Sequence, residues 1–262
     1  MSETGCLKDG HFNNLEVDGL FFESRNSDLK QRLSRFVFFD DFIDPSYGGV
    51  DVGLAKYNGT EVGASAWAYA ATPIVPTQGG WLSCTTAAAE NDGAQIQLKT
   101  TPFKYEITEE LYFETVLTTT DPTQTDIIVG LVNTTATVCE GSGRTDGIYF
   151  KIADGSAAIS FVLEKNRSGE TGKTETPTTA DAGAGSATDT AINHITLAFH
   201  KPKGEDKFLV YVNNVLTNTV PNTNVPDDVF LTPTLALLNG NAGGHAAASH
   251  CDYIYVSSTI TR

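Results

Sequence analysis

The sequence predicts an all-β protein: a two-sheet antiparallel β-sandwich behind an irregular N-terminal arm. Residues 207–216, KFLVYVNNVL, alternate Phe208, Val210 and Val212 with Leu209, Tyr211 and Asn213. That is a period of two in aromatic and largely β-branched residues, the signature of a strand. The pattern breaks at Asn213-Asn214, which tolerate positive φ, and restarts at Val215-Leu216, so the stretch reads as a β-hairpin. Comparable short apolar stretches recur at close spacing, separated mostly by turn signals, and hardly any window has helical periodicity. A chain of 262 residues accommodates one large all-β domain or two small ones, and is long enough to bury a core without disulfide staples.

Residues 1–35 stand apart. They carry Gly5, Gly10 and Gly19 and five of the 17 basic residues of the chain (Lys8, Arg25, Lys30, Arg32 and Arg35). Residues 27–35 fit a short helix, with Ser27 as N-cap, Asp28 in the first turn, and Leu29 and Leu33 one turn apart. Leu7, Phe12, Leu15, Val17, Phe21 and Phe22 are too many large apolar residues for a leader with little room for its own core. Two readings follow: a leader packed on the main domain, or an arm that docks on another subunit.

From Phe36 to residue 262 the texture is that of a single sandwich. RFVFFDDF is a strand running into an acidic pair, and residues 45–82 read as loop-rich because of Pro45, Gly48-Gly49, Gly53, Asn58-Gly59, Pro73, Pro76 and Gly79-Gly80. Strands are then expected at 95–99, 111–117, 127–132, 147–152, 158–164, 192–200, 207–212, 234–238 and 253–257. Turn signals at 121–122, 154–155, 203–204 and 213–214 separate several of them. The polar segment 166–189 is a long strand connection, a pair of polar edge strands, or a surface loop that contacts a neighbour or ligand. No period of 20–50 residues, as a solenoid or propeller would show, repeats well.

Charge narrows the partners. The formal net charge is −15, from 32 acidic and 17 basic residues. Nucleic acid and anionic membrane are poor partners for such a surface, because phosphate binding needs clustered Lys and Arg. Met1-Ser-Glu-Thr is followed by no apolar run, so no secretory signal is expected, and no window approaches the ~20 apolar residues of a membrane span. Cys6, Cys84, Cys139 and Cys251 are widely spaced without metal-ligand spacing and are expected as free thiols. The Asn58, Asn133 and Asn166 sequons read as chance matches in a chain rich in Asn and Thr.

The chemistry-bearing residues do not assemble into a catalytic pattern. A retaining glycosidase needs two carboxyls ~5–5.5 Å apart, commonly alternating on one strand. Strand 111–117 offers Glu114 alone; Asp40 and Asp41 are adjacent and point to opposite faces; Glu106, Glu109 and Glu110 lie in a turn-like stretch; Glu164 stands at a strand end. There is no Gly-x-Ser-x-Gly elbow and no phosphate-binding loop, and His11, His194, His200, His245 and His250 show no partner pattern. The expectation is a non-enzyme without a cofactor. Ca²⁺ is the one metal with candidate oxygens, on Asp40, Asp41, Asp44, Asp92, Asn133 and Asp252. Asp40-Asp41 and Asp252 sit near opposite ends of the domain, where first and last strands often meet. Trp67 and Trp81, with Tyr47 and Tyr69, are candidates for a sugar-stacking platform or for core packing.

The succession DDF, DGIYFKI, FVLEKN, HITLAF, KFLVYVNNVL, LTPTLALLNG and CDYIYVSST resembles a concanavalin A-like (laminin-G-like) jelly roll over residues 36–262. That fold hosts lectins, glucanases and structural modules, so the resemblance implies architecture more than activity. The leader SETGCLKDGHFNNLEVDG is similar to those of jelly-roll structural proteins of tailed bacteriophages. This resemblance implies a non-enzymatic virion protein that decorates or cements the capsid surface and is assembled in the host cytoplasm. Residues 1–35 would dock on the major capsid protein, and a homo-oligomer, such as a trimer, suits the local symmetry of a shell. The alternative is a carbohydrate-binding adhesin module of a phage head or tail fibre, with a host-surface glycan as partner.

Overall fold

The computed structural model describes residues 14–17, 20–23, 35–42, 56–63, 65–70, 80–120, 122–138, 143–169, 171–181, 194–240 and 247–259. In chain order the strands are β1 (Asn14–Val17), β2 (Leu20–Glu23), β3 (Arg35–Asp40), β4 (Tyr57–Val62), β5 (Ala66–Ala70), β6 (Trp81–Thr85), β7 (Gly93–Leu98), β8 (Leu111–Thr119) and β9 (Thr125–Val132). They continue with β10 (Gly147–Ile152), β11 (Ala158–Ser168), β12 (Thr171–Asp181), β13 (Ile195–Lys201), β14 (Lys207–Val212), β15 (Val215–Pro221), β16 (Thr232–Asn239) and β17 (Ala248–Thr259). A seven-stranded sheet runs β12-β11-β10-β9-β16-β7-β4, and an eight-stranded sheet runs β15-β14-β13-β8-β17-β6-β5. All observed pairings are antiparallel; β3 joins the second sheet along the C-terminal half of β17, beside β6 on its N-terminal half. The predicted two-sheet antiparallel sandwich is what forms.

The core lies between the sheets because the strands alternate. In β8, Leu111, Phe113, Thr115 and Leu117 are buried while Tyr112, Glu114 and Val116 are only half-buried. In β14, Phe208, Val210 and Val212 are the inward set. Phe150 and Phe161 of one sheet meet Phe199 and Phe208 of the other, with centroids 5.5–6.2 Å apart, and Phe113 stacks on Phe199 at 5.2 Å. Burying each such ring contributes roughly 1.5–3 kcal/mol. The β14–β15 hairpin turns at Asn213 and Asn214, with φ of 51° and 62°, as the Asn-Asn pair predicts.

Several expectations need correction. Residues 45–82 are not all loop: β4, β5 and the start of β6 lie there, and Asn58-Gly59 sits inside β4, with Gly59 opposite Ile96. Pairing with the apolar strand β7 overrides the local turn preference of that dipeptide. Arg35, read as the end of a helix, begins β3 opposite Thr259; the rest of the expected helix lies outside the described residues. In the polar segment 166–189, the edge-strand reading holds for its first part. There β11 runs on to Ser168, and β12 folds back on β11 as an edge strand. Residues 182–189 are outside the described residues.

Strands β9, β10, β11 and β16 are buried on both faces over most of their length. The outer face of the seven-stranded sheet is covered by the connection after β9. Gln95 and Gln97 of β7 clamp it: Gln95 takes the Val138 N–H on Oε1 at 2.8 Å, and Gln97 takes the Thr135 N–H at 2.9 Å while donating to the Asn133 carbonyl at 3.2 Å. Val138 then caps a second apolar cluster of Ile128, Val132, Tyr149, Val162 and Ala236. Beside it the Arg144 guanidinium meets Glu164 at 2.8 Å and lies 4.8 Å from the Tyr149 ring centroid; Arg167 adds a second ion pair to Glu164 at 2.9 Å.

Candidate functional site

The outer face of the eight-stranded sheet is built differently. Its register lays one row of side chains across β14, β13, β8, β17 and β3: Tyr211, Ala198, Glu114, Tyr255 and Phe39. The next row holds Leu209, His200, Tyr112, Ser257 and Val37. These are the outward alternates of strands whose inward residues fill the core. Period two therefore dictates their position, and an aromatic choice at so many of them is not what a solvated sheet face needs.

Glu114 is the centre of the arrangement. The Tyr112 hydroxyl donates to its Oε2 and the Tyr253 hydroxyl to its Oε1. Tyr253 reaches Glu114 because β17 carries a bulge: Asp252 and Tyr253 together oppose Val116 between the pairs Cys251–Leu117 and Ile254–Thr115. Tyr112 contacts Tyr255 edge-on at 5.8 Å, Tyr255 contacts Phe39 at 6.4 Å, and Phe39 contacts Tyr253 at 6.1 Å. Glu114, Tyr112, Tyr255, Phe39 and Tyr253 thus form a closed circuit of one carboxylate and four rings. Burial, and then the hydrogen bond and charge of Glu114, push the Tyr112 and Tyr253 phenols well above their ordinary range, so both stay protonated donors. Among the described residues no cation pairs with Glu114.

One end of the face is set by Glu110. Its carboxylate takes Arg35 Nη2 at 2.8 Å and His200 Nε2 at 2.9 Å. Burial alone would raise its pKa, but the hydrogen bonds and charges of Arg35 and His200 outweigh this and hold it below the usual range. Buried Lys201 braces the turn from which Glu110 emerges, donating to the carbonyls of Glu106, Ile107 and Glu109. At the other end Trp81 lies edge-on to His194 at 5.4 Å and to His250 at 6.4 Å. The Asp252 carboxyl is pushed up, first by burial and then by Asp41, against the opposing effect of His194.

The sequence-predicted site residues fare unevenly. Trp67 and Trp81 are 6% and 4% exposed, Trp67 within the core, so neither offers the open ring face that sugar stacking requires. The rings that do line an accessible face are Tyr112, Tyr211, Tyr253, Tyr255 and Phe39. First and last strands do meet, with Asp40 opposite Ile254. Two of the residues offered for Ca²⁺ are otherwise engaged: Asp40 accepts from Lys56 at 2.9 Å and Tyr57 at 2.6 Å, and Asn133 closes the 143–146 segment by bonding Gly143, Thr145 and Asp146. Asp44 lies outside the described residues, and among the described residues no group of three or more His, Cys, Asp or Glu is placed to hold a metal. Leu7 and Phe12 of the arm lie outside the described residues. Leu15, Val17, Phe21 and Phe22 fall on the β1–β2 hairpin, where Leu15 pairs with Phe22 and Glu16 with Phe21.

No protein-family model matches the chain, and no curated protein matches it in sequence. Solved structures do resemble it. A protein of unknown function from Shewanella oneidensis superposes with a TM-score of 0.57 at 15% identity, over 94% of this chain and 99% of that one. An endo-1,3-β-glucanase from Streptomyces sioyaensis gives 0.56 at 13%, over 87% and 98%. The carbohydrate recognition domain of Emp46p gives 0.51 at 9%, over 83% and 94%. The chain therefore has the concanavalin A-like lectin/glucanase sandwich fold, a jelly roll.

Proposed function

We propose that the protein is a carbohydrate-binding module that takes a glycan on the outer face of its eight-stranded sheet and does not cleave it. The observation that carries this reading is the closed circuit of Glu114, Tyr112, Tyr255, Phe39 and Tyr253. Aromatic rings supply flat apolar faces for sugar rings, and a carboxylate with fixed phenols supplies the few directional polar groups that set orientation. The similar folds of a glucanase and a carbohydrate recognition domain are consistent with sugar as the ligand class but do not choose between binding and cleavage. The nearest carboxylate along the same segment favours binding: Glu110, just before β8, is four residues from Glu114, a backbone spacing of roughly 13 Å at ~3.3 Å per residue, beyond the separations that glycosidases use.

A glycan array with wild type, Phe39→Ala and Tyr255→Ala tests the proposal. Reproducible binding to an oligosaccharide, weakened at least about tenfold by either variant, is expected. No binding to any glycan would sink it. Release of reducing ends from a bound glycan would make the protein a hydrolase instead, with Glu114 and Asp252 as the carboxylates to replace.

A second reading is favoured by a separate observation: β1 and β2 form their own two-stranded sheet, hydrogen-bonded to neither sandwich sheet. A lone hairpin is marginal in water and gains stability by docking. This supports a virion structural protein whose arm, with Leu15, Val17, Phe21 and Phe22, seats on major capsid subunits or on another copy in a homo-oligomer. The test is truncation just before Arg35, which must be kept because it belongs to β3 and pairs with Glu110. Unchanged binding of the truncated protein to capsids would rule the arm out as the anchor.

A further inference from the structure

The circuit around Glu114 has a property that a neutral sugar does not use. Glu114 is half-buried, flanked by rings, and has two phenolic donors but no cation of its own among the described residues. The nearby cations among the described residues are committed elsewhere: Arg35 and His200 share Glu110, and Lys56 holds Asp40. A carboxylate set among several aromatic rings is the environment that recognises an ammonium group. The ring quadrupoles attract the cation from the sides while the carboxylate neutralises it. The phenols strengthen the effect, because donating to Glu114 leaves their oxygens electron-rich beside the carboxylate. The net charge of −15 adds a long-range field that concentrates cations and repels anionic glycans.

We propose that this site binds a protonated amine carried on the glycan, so that its preferred ligand class is an amino sugar with a free ammonium group. The inference rests on the carbohydrate-binding reading and specifies its ligand. It assigns Glu114 the counter-ion role, and Tyr112, Tyr253, Tyr255 and Phe39 the walls of the cage.

The experiment is titration calorimetry at mildly acidic pH and moderate salt with three β-1,4-linked hexamers: glucosamine, N-acetylglucosamine and glucose. Choline chloride forms a fourth arm. The expected result is that the glucosamine hexamer binds at least about tenfold more tightly than the two neutral hexamers. Glu114→Gln should bring it down to their level. Phe39→Ala, at an exposed edge position, should weaken all three hexamers without unfolding risk. Glu90→Gln removes the same charge from an exposed turn whose next residue bonds Asn239 of the seven-stranded sheet, and should leave the preference intact, which separates the site from general attraction of a polycation to an acidic protein. Equal affinity for the three hexamers would overturn the ammonium inference and leave the carbohydrate reading standing. A glucosamine preference retained in Glu114→Gln would overturn the site assignment. Choline binding lost in Glu114→Gln, with no hexamer bound, would keep the cage and overturn its glycan source. No binding in any arm would overturn both proposals.

Discussion

The two outer faces of the sandwich each present a glutamate close to tyrosine, and the molecule treats them in opposite ways. On the seven-stranded sheet, Glu164 is fully buried, receives Arg144 and Arg167, and is roofed by the connection that Gln95 and Gln97 hold down. On the eight-stranded sheet, Glu114 receives two phenols, keeps partial exposure, and among the described residues has no arginine over it. A carboxylate whose charge is cancelled internally and sealed from water serves the fold. A carboxylate held in place but left charged, among rings at the surface, is equipped to meet something from outside. This contrast, more than any residue alone, makes the second face the candidate site.

The largest effect is expected where the charge is sealed. Arg144→Ala leaves Glu164 without its main partner in a site closed to water, and breaking a buried pair in this way costs about 3–5 kcal/mol. Urea unfolding should show the loss as a lower midpoint with an unchanged slope. Replacing both partners, Arg144→Met with Glu164→Leu, should recover much of it, because the sealed charges leave together and Arg167, which is partly exposed, keeps its bond to the Gly169 carbonyl. If Arg144→Ala lost less than about 1 kcal/mol, the roofed face would be more hydrated than its burial implies and the contrast would weaken.

The sandwich was legible wherever one strand carried its own evidence. The Asn213-Asn214 turn needs only two residues with positive φ, and β8, β13 and β14 show their inward sets as a plain period of two. Strand β4 was not legible, since YNGTEV has strand character only once β7 lies beside it. The site was less legible still. Glu114 and Tyr253 are 139 positions apart and meet through the β8–β17 register and a bulge that no local pattern announces. Glu114 is solitary along its own strand, because the phenol that completes its site, on Tyr253, comes from another. Trp67 and Trp81 drew attention as large aromatics, yet they alternate into covered positions. A usable signal did exist: Tyr112 with Glu114, and Tyr253 with Tyr255, are aromatic or acidic at positions flanking the core residues Phe113 and Ile254, where small polar residues would suffice.

An intermediate effect belongs to Glu114 itself. Glu114→Gln keeps an oxygen acceptor for the phenols but exchanges charged hydrogen bonds for neutral ones. Its cost to stability should be about 1 kcal/mol or less, since the net difference per bond is of that size and the site is part-solvated. Ligand binding would fall far more than stability. The reverse is expected of Glu164→Gln, which strands Arg144 and Arg167 and should destabilise by several times as much as Glu114→Gln. Denaturant midpoints of the two variants, measured side by side, check the ranking. Equal losses would mean that Glu114 is as structural as Glu164, and the functional reading of its face would lose its main support.

The smallest effect tests the open face from its margin, at Asp252 on the bulge that delivers Tyr253. Burial and the neighbouring Asp41 raise the Asp252 pKa above the ordinary carboxylate value. A raised folded-state value means that the unfolded chain ionises this group more readily. Its favourable contribution is therefore complete below the unfolded pKa, ~3.9, and is lost as the pH climbs through the folded value. At neutral pH the native state carries an ionised Asp252 in an unfavourable place. Asp252→Asn removes that burden, so the variant should be more stable than wild type at pH ~7, by less than about 1 kcal/mol because the group is only part-buried and solvent screens its charge. At pH ~3, below the unfolded pKa, the gain should vanish. Thermal melts at the two pH values measure both halves. A variant destabilised at neutral pH would show that the Asp252 carboxylate, in its charged form, holds the bulge in shape, which would make it part of the site's scaffold instead of a tolerated cost at its rim.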